Sequence, residues 1–214
     1  MELIDKIIVV TGAASGIGRA MAVRFKAEGA KQIVAVDINL AGAQATAEMI
    51  GGIAMSADVS KEEDIQRVIE ETESRVGPID LFCSNAGVGM GESINSPNKE
   101  WHMSWDINVM SHVYAARHLL PLMVARGGGY FLNTSSAAGL LNQIGGAAYG
   151  VTKHAAVGFG EWLAIHHKHE GIKVSMLCPQ AVRTPMTETD NDATAAAASN
   201  GMIEPEELCD TVVE

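Results

Sequence analysis

Short apolar runs alternate with longer amphipathic segments along the whole chain. The runs are rich in Val and Ile, which is typical of strands buried on both faces, and the segments between them have helical spacing. Such alternation predicts one α/β domain in which helices cover both faces of a parallel sheet, the doubly wound architecture. The predicted strands are 6–10, 32–36, 53–56, 79–83, 129–134 and 173–178, and the predicted helices are 17–28, 40–50, 61–75, 100–125, 149–168 and one from 204 onward.

A glycine-rich turn joins the first predicted strand to the first predicted helix. Such a turn aims free backbone N–H groups and the positive end of a helix at a phosphate. Gly12 allows the tight turn, Gly16 lets the main chain approach a pyrophosphate, and Gly18 lets the helix pack closely on the strand. The turn, which also holds Ser15 and Ile17, therefore predicts a dinucleotide site, although its Gly-x-x-x-Gly-x-Gly spacing is not the commoner fingerprint.

The residue that ends the second strand bears on the identity of the dinucleotide. Asp37 lies about 20 residues beyond the glycines, where an acid accepts hydrogen bonds from an adenosine ribose. The alternative is that Asp37, with Asn39, only caps the second helix. The 2′-phosphate of NADP needs a nearby cation, whereas Ser15 and Ile38 stand at the two positions that would supply one. The sequence therefore predicts NAD as the cofactor.

A tyrosine and a lysine are spaced one helical turn apart near the start of the fifth predicted helix. Tyr149 and Lys153 share one helix face, and a cation close to a phenol lowers the pKa of that phenol toward the range of acid–base catalysis. Ser136 precedes the helix and is placed to hydrogen-bond a substrate oxygen. The spacing alone also arises in helices where a solvated lysine merely lies beside a half-buried tyrosine, so its weight depends on the other motifs.

Seven motifs follow one another between Lys6 and about Met186. They are Thr11-Gly12-x-x-x-Gly16-x-Gly18, Asp58-Val59, Asn85-Ala86-Gly87, Asn108, Ser136, Tyr149-x-x-x-Lys153 and Pro179 to Thr184. In this order and spacing they resemble the short-chain dehydrogenase/reductase family. The resemblance implies a Rossmann-like sheet with strand order 3-2-1-4-5-6.

The resemblance also implies catalytic roles. Tyr149 would exchange a proton with the substrate oxygen while hydride passes between the substrate carbon and the nicotinamide. Lys153 would lower the pKa of Tyr149 and hydrogen-bond the nicotinamide ribose, and Ser136 would steady the reacting oxygen. Asn108 would anchor a water that relays protons to the lysine; as a buried amide within a helix it must be hydrogen-bonded in any case.

Further cofactor contacts are implied by the resemblance. Asp58 and Val59 would hold the adenine, although Asp-Val-Ser is equally a strand end that leads into a helix capped by Ser60 and Glu63. The Asn85-Ala86-Gly87 segment would pack beside the cofactor, in a structural or a direct role. The remaining implied contacts, over the nicotinamide carboxamide, are Pro179, Val182 and Thr184.

These motifs are expected to meet in space. Ligands of doubly wound sheets bind outside the carboxyl ends of the strands, and most of the motifs follow a predicted strand directly. Convergence at one edge of the sheet is what a binding site requires.

Two departures from the family pattern stand out. Gln180 occupies a position where the family usually has Gly, so the loop would be strained if that position required a positive φ. The chain ends at Glu214, before the family's seventh strand, which suggests a truncated chain or a member without that strand. Residues 187–203 stand where the family carries its substrate lid, and we expect that segment to be mobile.

Charge and cysteine content exclude several classes of partner. The net charge of −11, without a readable basic patch, argues against nucleic acid and against anionic membrane surfaces. The three cysteines lack metal-site spacing and form no disulfide framework, and the histidines at 166, 167 and 169 suit a helix end better than a metal. No apolar run approaches the ~18 residues of a membrane span, and no signal peptide is visible, so a cytoplasmic location is expected.

Two hypotheses of different class follow. The first is an NAD-dependent oxidoreductase that interconverts a secondary alcohol and its ketone. The second is a catalytically silent Rossmann-fold protein that senses NAD or acts as a scaffold. The presence of both Tyr149 and Lys153 favours the enzyme. By resemblance, the two long helices would pair between subunits, which predicts a homodimer or a homotetramer.

Overall fold

The computed structural model describes residues 2–187, 195 and 201–213. Its six strands form one parallel sheet in the order β3-β2-β1-β4-β5-β6, as the resemblance implied. Among the described residues β3 and β6 are the edge strands. The strands are β1 (Ile7–Thr11), β2 (Gln32–Asp37), β3 (Ile53–Ser56), β4 (Leu81–Ser84), β5 (Gly129–Thr134) and β6 (Ile172–Leu177).

Helices cover both faces of this sheet. A π-helical turn, Asp106–Met110, joins α4 to α5, a 3₁₀ turn, Lys168–Glu170, follows α7, and another, Pro185–Thr187, follows the loop after β6. The helices are α1 (Gly16–Ala27), α2 (Leu40–Ile50), α3 (Glu62–Arg75), α4 (Asn98–Trp105), α5 (Ser111–Ala125), α6 (Ala138–Leu141), α7 (Ala147–His167) and α8 (Pro205–Val213).

Two hydrophobic cores lie on opposite faces of the sheet, because successive side chains of a strand point to opposite sides. Ile8 and Val10 of β1 belong to the core that α1, α2 and α8 cover, where Phe25 is fully buried. Val9 belongs to the other core, which α3, α5 and α7 cover and in which Phe82 is fully buried. The continuous apolar runs in the sequence therefore serve both faces.

Two local expectations from the sequence differ from the structure. The predicted capping box of α3 does not form, because α3 begins only at Glu62, so that Lys61 and not Ser60 stands at its N-cap. The predicted single helix 100–125 is interrupted by the π-helical turn that contains Asn108. Within the described part of the chain, no helix combines the length and apolar character needed to cross a membrane.

Candidate active site

A cleft of about 320 Å³ opens at the carboxyl ends of the strands. Its walls come from loops that follow β1, β2, β3, β4, β5 and β6, together with the start of α7 and the π-helical turn. Most of the residues predicted from the sequence line it: Gly12, Ser15, Gly16, Ile17, Asp37, Val59, Asn85, Ala86, Gly87, Ser136, Tyr149, Lys153, Pro179, Val182 and Thr184. Three predicted residues, Gly18, Asp58 and Asn108, lie outside this lining.

The glycine turn has the conformation and the crowding that its glycines require. Gly12 and Gly16 have φ values of +69° and +52°, which side chains disfavour. A Cβ on Gly12 would lie 2.9 Å from Ala86 Cα. Gly18 touches no cleft space; a Cβ there would collide with the Gly12 carbonyl, so its role is close packing of α1 on the turn. The turn is thus a bare backbone cradle at the start of a helix, which fits a pyrophosphate.

Asp37 ends β2 beside this cradle. One carboxylate oxygen accepts a hydrogen bond from the Ala14 N–H at 2.9 Å, and the other accepts one from the Asn39 N–H at 2.9 Å. The cap of α2 is Asn39, whose side chain accepts from the Gly42 N–H at 3.1 Å. Asn39 thus makes the cap itself, Asp37 holds the backbone of that cap residue, and Asp37 also lines the cleft beside Ile38.

Asp58 has local partners instead. Its carboxylate accepts hydrogen bonds from the Ser60 N–H and hydroxyl, at 3.1 and 2.6 Å, and lies 3.8 Å from the Lys61 ammonium. Its neighbours Ala57 and Val59 line the cleft. In this structure the Asp58 side chain thus stabilises the turn before α3.

The Asn85-Ala86-Gly87 segment is tied to the end of β1. The Thr11 hydroxyl accepts hydrogen bonds from the N–H groups of Asn85 and Ala86, at 2.9 and 3.1 Å, and the Asn85 amide donates to the Thr11 carbonyl at 3.1 Å. Gly87 leaves room for Lys153, because a Cβ there would lie 3.2 Å from Lys153 Nζ and 3.2 Å from Asn108 Oδ1.

Lys153 is almost fully buried in the floor of the cleft. Its ammonium donates to the Thr134 carbonyl at 3.2 Å and lies 5.6 Å from the centroid of the Tyr149 ring. Burial lowers the pKa of Lys153 from 10.5 to about 8, because water no longer stabilises the charged form. The lysine is therefore poised to gain or lose a proton near neutral pH.

Tyr149 is half-buried at the mouth of the cleft, close to Ser136. Burial raises the pKa of the Tyr149 phenol, and the nearby Ser136 hydroxyl only partly opposes that rise. Burial therefore outweighs the other influences on the phenol in the protein without its ligands. In this structure the Lys153 ammonium donates to the Thr134 carbonyl, and the expectation that Lys153 lowers the pKa of Tyr149 stays a prediction.

Ser136 follows β5 and faces the same space. Its oxygen accepts a hydrogen bond from the Ala138 N–H at 3.1 Å, which leaves the hydroxyl hydrogen for another acceptor. Ser135, beside it, is already committed, because its hydroxyl donates to the Lys153 carbonyl at 2.9 Å. The two adjacent serines thus differ in role. The Ser136 hydroxyl can still donate within the cleft, whereas the Ser135 hydroxyl is bonded to α7.

Asn108 supports the site from within the π-helical turn. Its amide oxygen accepts from the Val88 N–H at 2.9 Å, and its amide nitrogen donates to the Val88 carbonyl at 3.0 Å and to the Thr152 hydroxyl at 3.1 Å. The fully buried amide is satisfied, as its place in a helix required. It fixes the loop after β4 against α7, one residue from Lys153.

The loop after β6 shows no strain at its unusual glutamine. Positive φ values among non-glycine residues of the described chain occur only at Asp5 and Asn142, so Gln180 is not forced into that region. Gln180 is exposed and lines the cleft, as does Met186. Most of the predicted lid, 187–203, lies outside the described residues.

Sequence reasoning missed several residues of the cleft. Thr134 receives the lysine's hydrogen bond, and Val88, Ile107, Pro185 and Thr187 add to the walls. Of these residues only Thr134 could have been found from the sequence. It ends β5, and polar residues at the carboxyl end of a parallel strand indicate a binding site. The described residues contain no group of three or more His, Cys, Asp or Glu side chains arranged to hold a metal ion.

Comparisons with known proteins agree with this geometry. The family described as short chain dehydrogenase matches residues 6–195. Epidermal retinol dehydrogenase 2 from Homo sapiens is 31% identical over 219 residues, covering 98% of this chain and 70% of the human protein. The 3beta-hydroxysteroid dehydrogenase of Mediterraneibacter gnavus is 36% identical, covering 86% of this chain and 68% of that protein.

A solved structure gives the same result at the level of the fold. The short chain dehydrogenase/reductase from Burkholderia phymatum, solved in complex with NAD, is 26% identical with a TM-score of 0.89. The match covers 99% of this chain and 85% of that one. Both the sequence and the fold therefore place this chain in the short-chain dehydrogenase/reductase family.

Proposed function

We propose that this protein uses NAD to interconvert a secondary alcohol and its ketone, with Tyr149 as the general acid and base. The observation that carries the proposal is that Tyr149, Ser136 and Lys153 line the same cleft as the glycine cradle and Asp37. A silent sensor of NAD would need the cradle but not the three proton-handling groups. Membership in a family of oxidoreductases supports the same conclusion.

The residues of the cleft fit a nicotinamide dinucleotide. The glycine cradle, which Cβ atoms would fill, accommodates a pyrophosphate, and Asp37 offers a carboxylate to the adenosine ribose. Asp37 would repel a 2′-phosphate, and Ser15 and Ile38 supply no cation for one. The cleft therefore suits NAD better than NADP, and the Burkholderia phymatum relative was solved with NAD.

When bound, NAD supplies the hydride acceptor for an alcohol, or NADH the hydride donor for a ketone. The Tyr149 phenol gives its proton to the ketone oxygen in the reductive direction. In the oxidative direction the phenol first passes its proton toward Lys153, and the resulting phenolate takes the proton of the alcohol. The raised pKa of the phenol keeps it protonated in the free protein, so it is ready as an acid for ketone reduction. Ser136 donates its free hydroxyl hydrogen to the substrate oxygen and stabilises charge that develops there.

Lys153 handles protons behind Tyr149. Its pKa of about 8 lets it alternate between ammonium and amine near neutral pH. In its charged form it has two donors beyond the bond to Thr134, one for a cofactor ribose hydroxyl and one for the proton path. Asn108 hydrogen-bonds both the loop after β4 and α7, and so keeps Lys153 in position beside that loop.

Apolar side chains form part of the cleft wall. They include Val88, Ile107 and Met186. Relatives are named as dehydrogenases of retinol and of 3beta-hydroxysteroid, both largely apolar alcohols. We therefore propose a secondary alcohol with an apolar body as the substrate class. Cytoplasmic location and assembly as a homodimer or homotetramer complete the proposal.

A substrate screen tests this function. Purified protein is offered apolar and polar secondary alcohols with NAD or NADP, and the corresponding ketones with the reduced forms, while nicotinamide absorbance is followed. We expect turnover of apolar secondary alcohols with a preference for NAD. Binding of NAD without turnover of any alcohol or ketone would favour the sensor or scaffold instead.

A further inference from the structure

A buried histidine lies behind the lysine that the proposed mechanism uses. His112 is 2% exposed and follows Asn108 by one helical turn, so it points to the same side of α5 as that amide. Among the described residues neither of its ring nitrogens makes a hydrogen bond of good geometry, although the Asn133 side chain and the Asn108 main chain are near enough to act on it weakly. A buried imidazole without such hydrogen bonds loses its hydration and gains little in return, which native proteins avoid.

A second polar atom without a partner lies on the strand that faces this helix. Ser84 ends β4, is 3% exposed, and its hydroxyl likewise has no partner among the described residues. Ser84 pairs in register with Asn133 of β5, so both side chains project from the same face of the sheet. Phe82 and Phe131, two residues earlier on each strand, belong to the core under α5, which places Ser84 and Asn133 on that side too.

This cluster of Ser84, His112 and Asn133 adjoins Lys153. The Asn133 side chain and the Asn108 main chain approach the His112 imidazole, and the Lys153 charge acts on its pKa. Thr134, the residue after Asn133, accepts the only hydrogen bond that the Lys153 ammonium makes in the described structure. The cluster therefore lies close enough to the Lys153 ammonium for a charge on His112 and the Lys153 charge to interact.

We propose that His112 is a positioning residue: its neutral imidazole and the Ser84 hydroxyl hold an internal water, and this hydrated cluster solvates the Lys153 ammonium. Two or three polar partners are what an internal water requires, and Ser84, His112 and Asn133 provide them. The imidazole stays neutral, because burial and the Lys153 charge lower its pKa to about 3. His112 thus contributes a dipole and a hydrogen-bonding site and carries no proton of its own.

Direct titration of Lys153 tests this proposal. The inference takes the importance of Lys153 from the proposed function, but the readout needs no substrate, so the two can fail separately. Protein labelled with ¹³C at lysine Cε is titrated by NMR, and the Lys153 signal is assigned as the one that Lys153→Met removes. Other titratable groups that face Lys153 are Tyr149 on its own helix and Cys178 after β6, and every variant below leaves both in place.

The variants separate a polar role from simple packing. His112→Leu removes the polar atoms, so the ammonium loses solvation and its acid dissociation constant should rise about tenfold. Ser84→Ala should act in the same direction, and His112→Gln, which restores a donor and an acceptor, should return the constant toward the wild-type value. Ser111→Ala is the control, since Ser111 is buried beside His112 but bonds only to the Ile107 carbonyl.

The variants test the role of His112 even if one of them is unstable. Should His112→Leu not fold, Ser84→Ala and His112→Gln still report on the cluster. Titration of Lys153 at the wild-type pH in folded His112→Leu or Ser84→Ala would overturn the proposal. An equal change in Ser111→Ala would also overturn it, because the effect would then be one of packing.

Discussion

Lys153 places an ammonium where almost no water reaches it. Its one hydrogen bond in the described structure, to the Thr134 carbonyl, does not replace a full hydration shell, so burial lowers its pKa to about 8. In the unfolded chain the same group titrates at 10.5. Burial of the charged lysine therefore lowers the free energy of unfolding at neutral pH.

Replacement of this lysine by an isosteric apolar residue should stabilise the protein. Below pH 8 both states of the wild type are protonated and the cost of burial is complete, about 3 kcal/mol at most from the two pKa values. Between pH 8 and 10.5 the folded lysine is neutral while the unfolded one is still charged, so the cost falls steadily and is gone above pH 10.5. Lys153→Met should thus gain up to about 3 kcal/mol in free energy of unfolding at pH 7, measured by urea denaturation, and lose this gain toward pH 10.5.

Lys173→Met is the matched control for that measurement, because Lys173 is an exposed lysine on β6. It should change the free energy of unfolding by a few tenths of a kcal/mol at any pH. A Lys153→Met gain that grew with pH, or a loss of stability at pH 7, would show that Lys153 is not a desolvated cation.

Asp37 is the residue on which we propose that the choice of coenzyme depends. Its carboxylate borders the cleft and is held by the Ala14 and Asn39 N–H groups. We expect Asp37→Ala to raise kcat/KM with NADP relative to NAD, because the repulsion of a 2′-phosphate is removed. Steady-state kinetics with both coenzymes measure the ratio. Asp58→Ala should leave it unchanged, and an unchanged ratio in Asp37→Ala would remove Asp37 from the cofactor argument.

At the scale of elements, the N-terminus of α2 shows which polar residue caps the helix. Asn39, and not Asp37, stands at the N-cap. Asn39 caps the helix through the Gly42 N–H, and Gly51 ends it with φ +60° and ψ +35°. Asn39→Ala should lower the free energy of unfolding by about 1 kcal/mol, whereas Asn39→Ser should restore most of it. Chemical denaturation measures both, and a full-stability Asn39→Ala would mean that the cap contributes nothing.

The sequence predicted the strands and most helices because their apolar periodicity reflects burial on two faces. It did not predict the π-helical turn around Asn108, since periodicity cannot distinguish an added residue in a helix from a continuous α-helix. It overestimated the Ser60 capping box because the helix begins one residue later than the pattern suggests, with Lys61 at the N-cap and Ser60 held in the preceding turn by Asp58. Competition between local hydrogen bonds is decided by geometry that the pattern does not contain.

At the scale of the whole molecule, the rule that parallel sheets bind ligands at their carboxyl edge placed most of the cleft in advance. Residues from all six strand ends meet there, although they are distant in sequence. The pKa values within that cleft could not be predicted from the sequence, because they depend on how deeply each group is buried and on which charges lie near it. The rise in the Tyr149 pKa and the cluster around His112 depend on which side chains are close in space.

The surface of α7 bears on assembly. Trp162 and Ile165 on this helix are 52% and 81% exposed, which is unusual for large apolar side chains. If the long helices pair between subunits, Ile165→Glu should shift the protein toward monomers in light scattering coupled to gel filtration. Ile94→Glu, at an equally exposed loop position, is the control. A wild-type monomer, or an unchanged oligomer in Ile165→Glu, would contradict this arrangement.

The measurement that tests the central claim most directly compares turnover and coenzyme binding in Tyr149→Phe. With an alcohol identified in the screen, we expect kcat to fall by about 10²- to 10⁴-fold while the Kd for NAD stays nearly constant, because only the proton-transferring oxygen is lost. Tyr130→Phe, whose hydroxyl bonds to Ser175 at 2.7 Å and lines no part of the cleft, should keep full activity. Wild-type turnover in Tyr149→Phe would contradict the account.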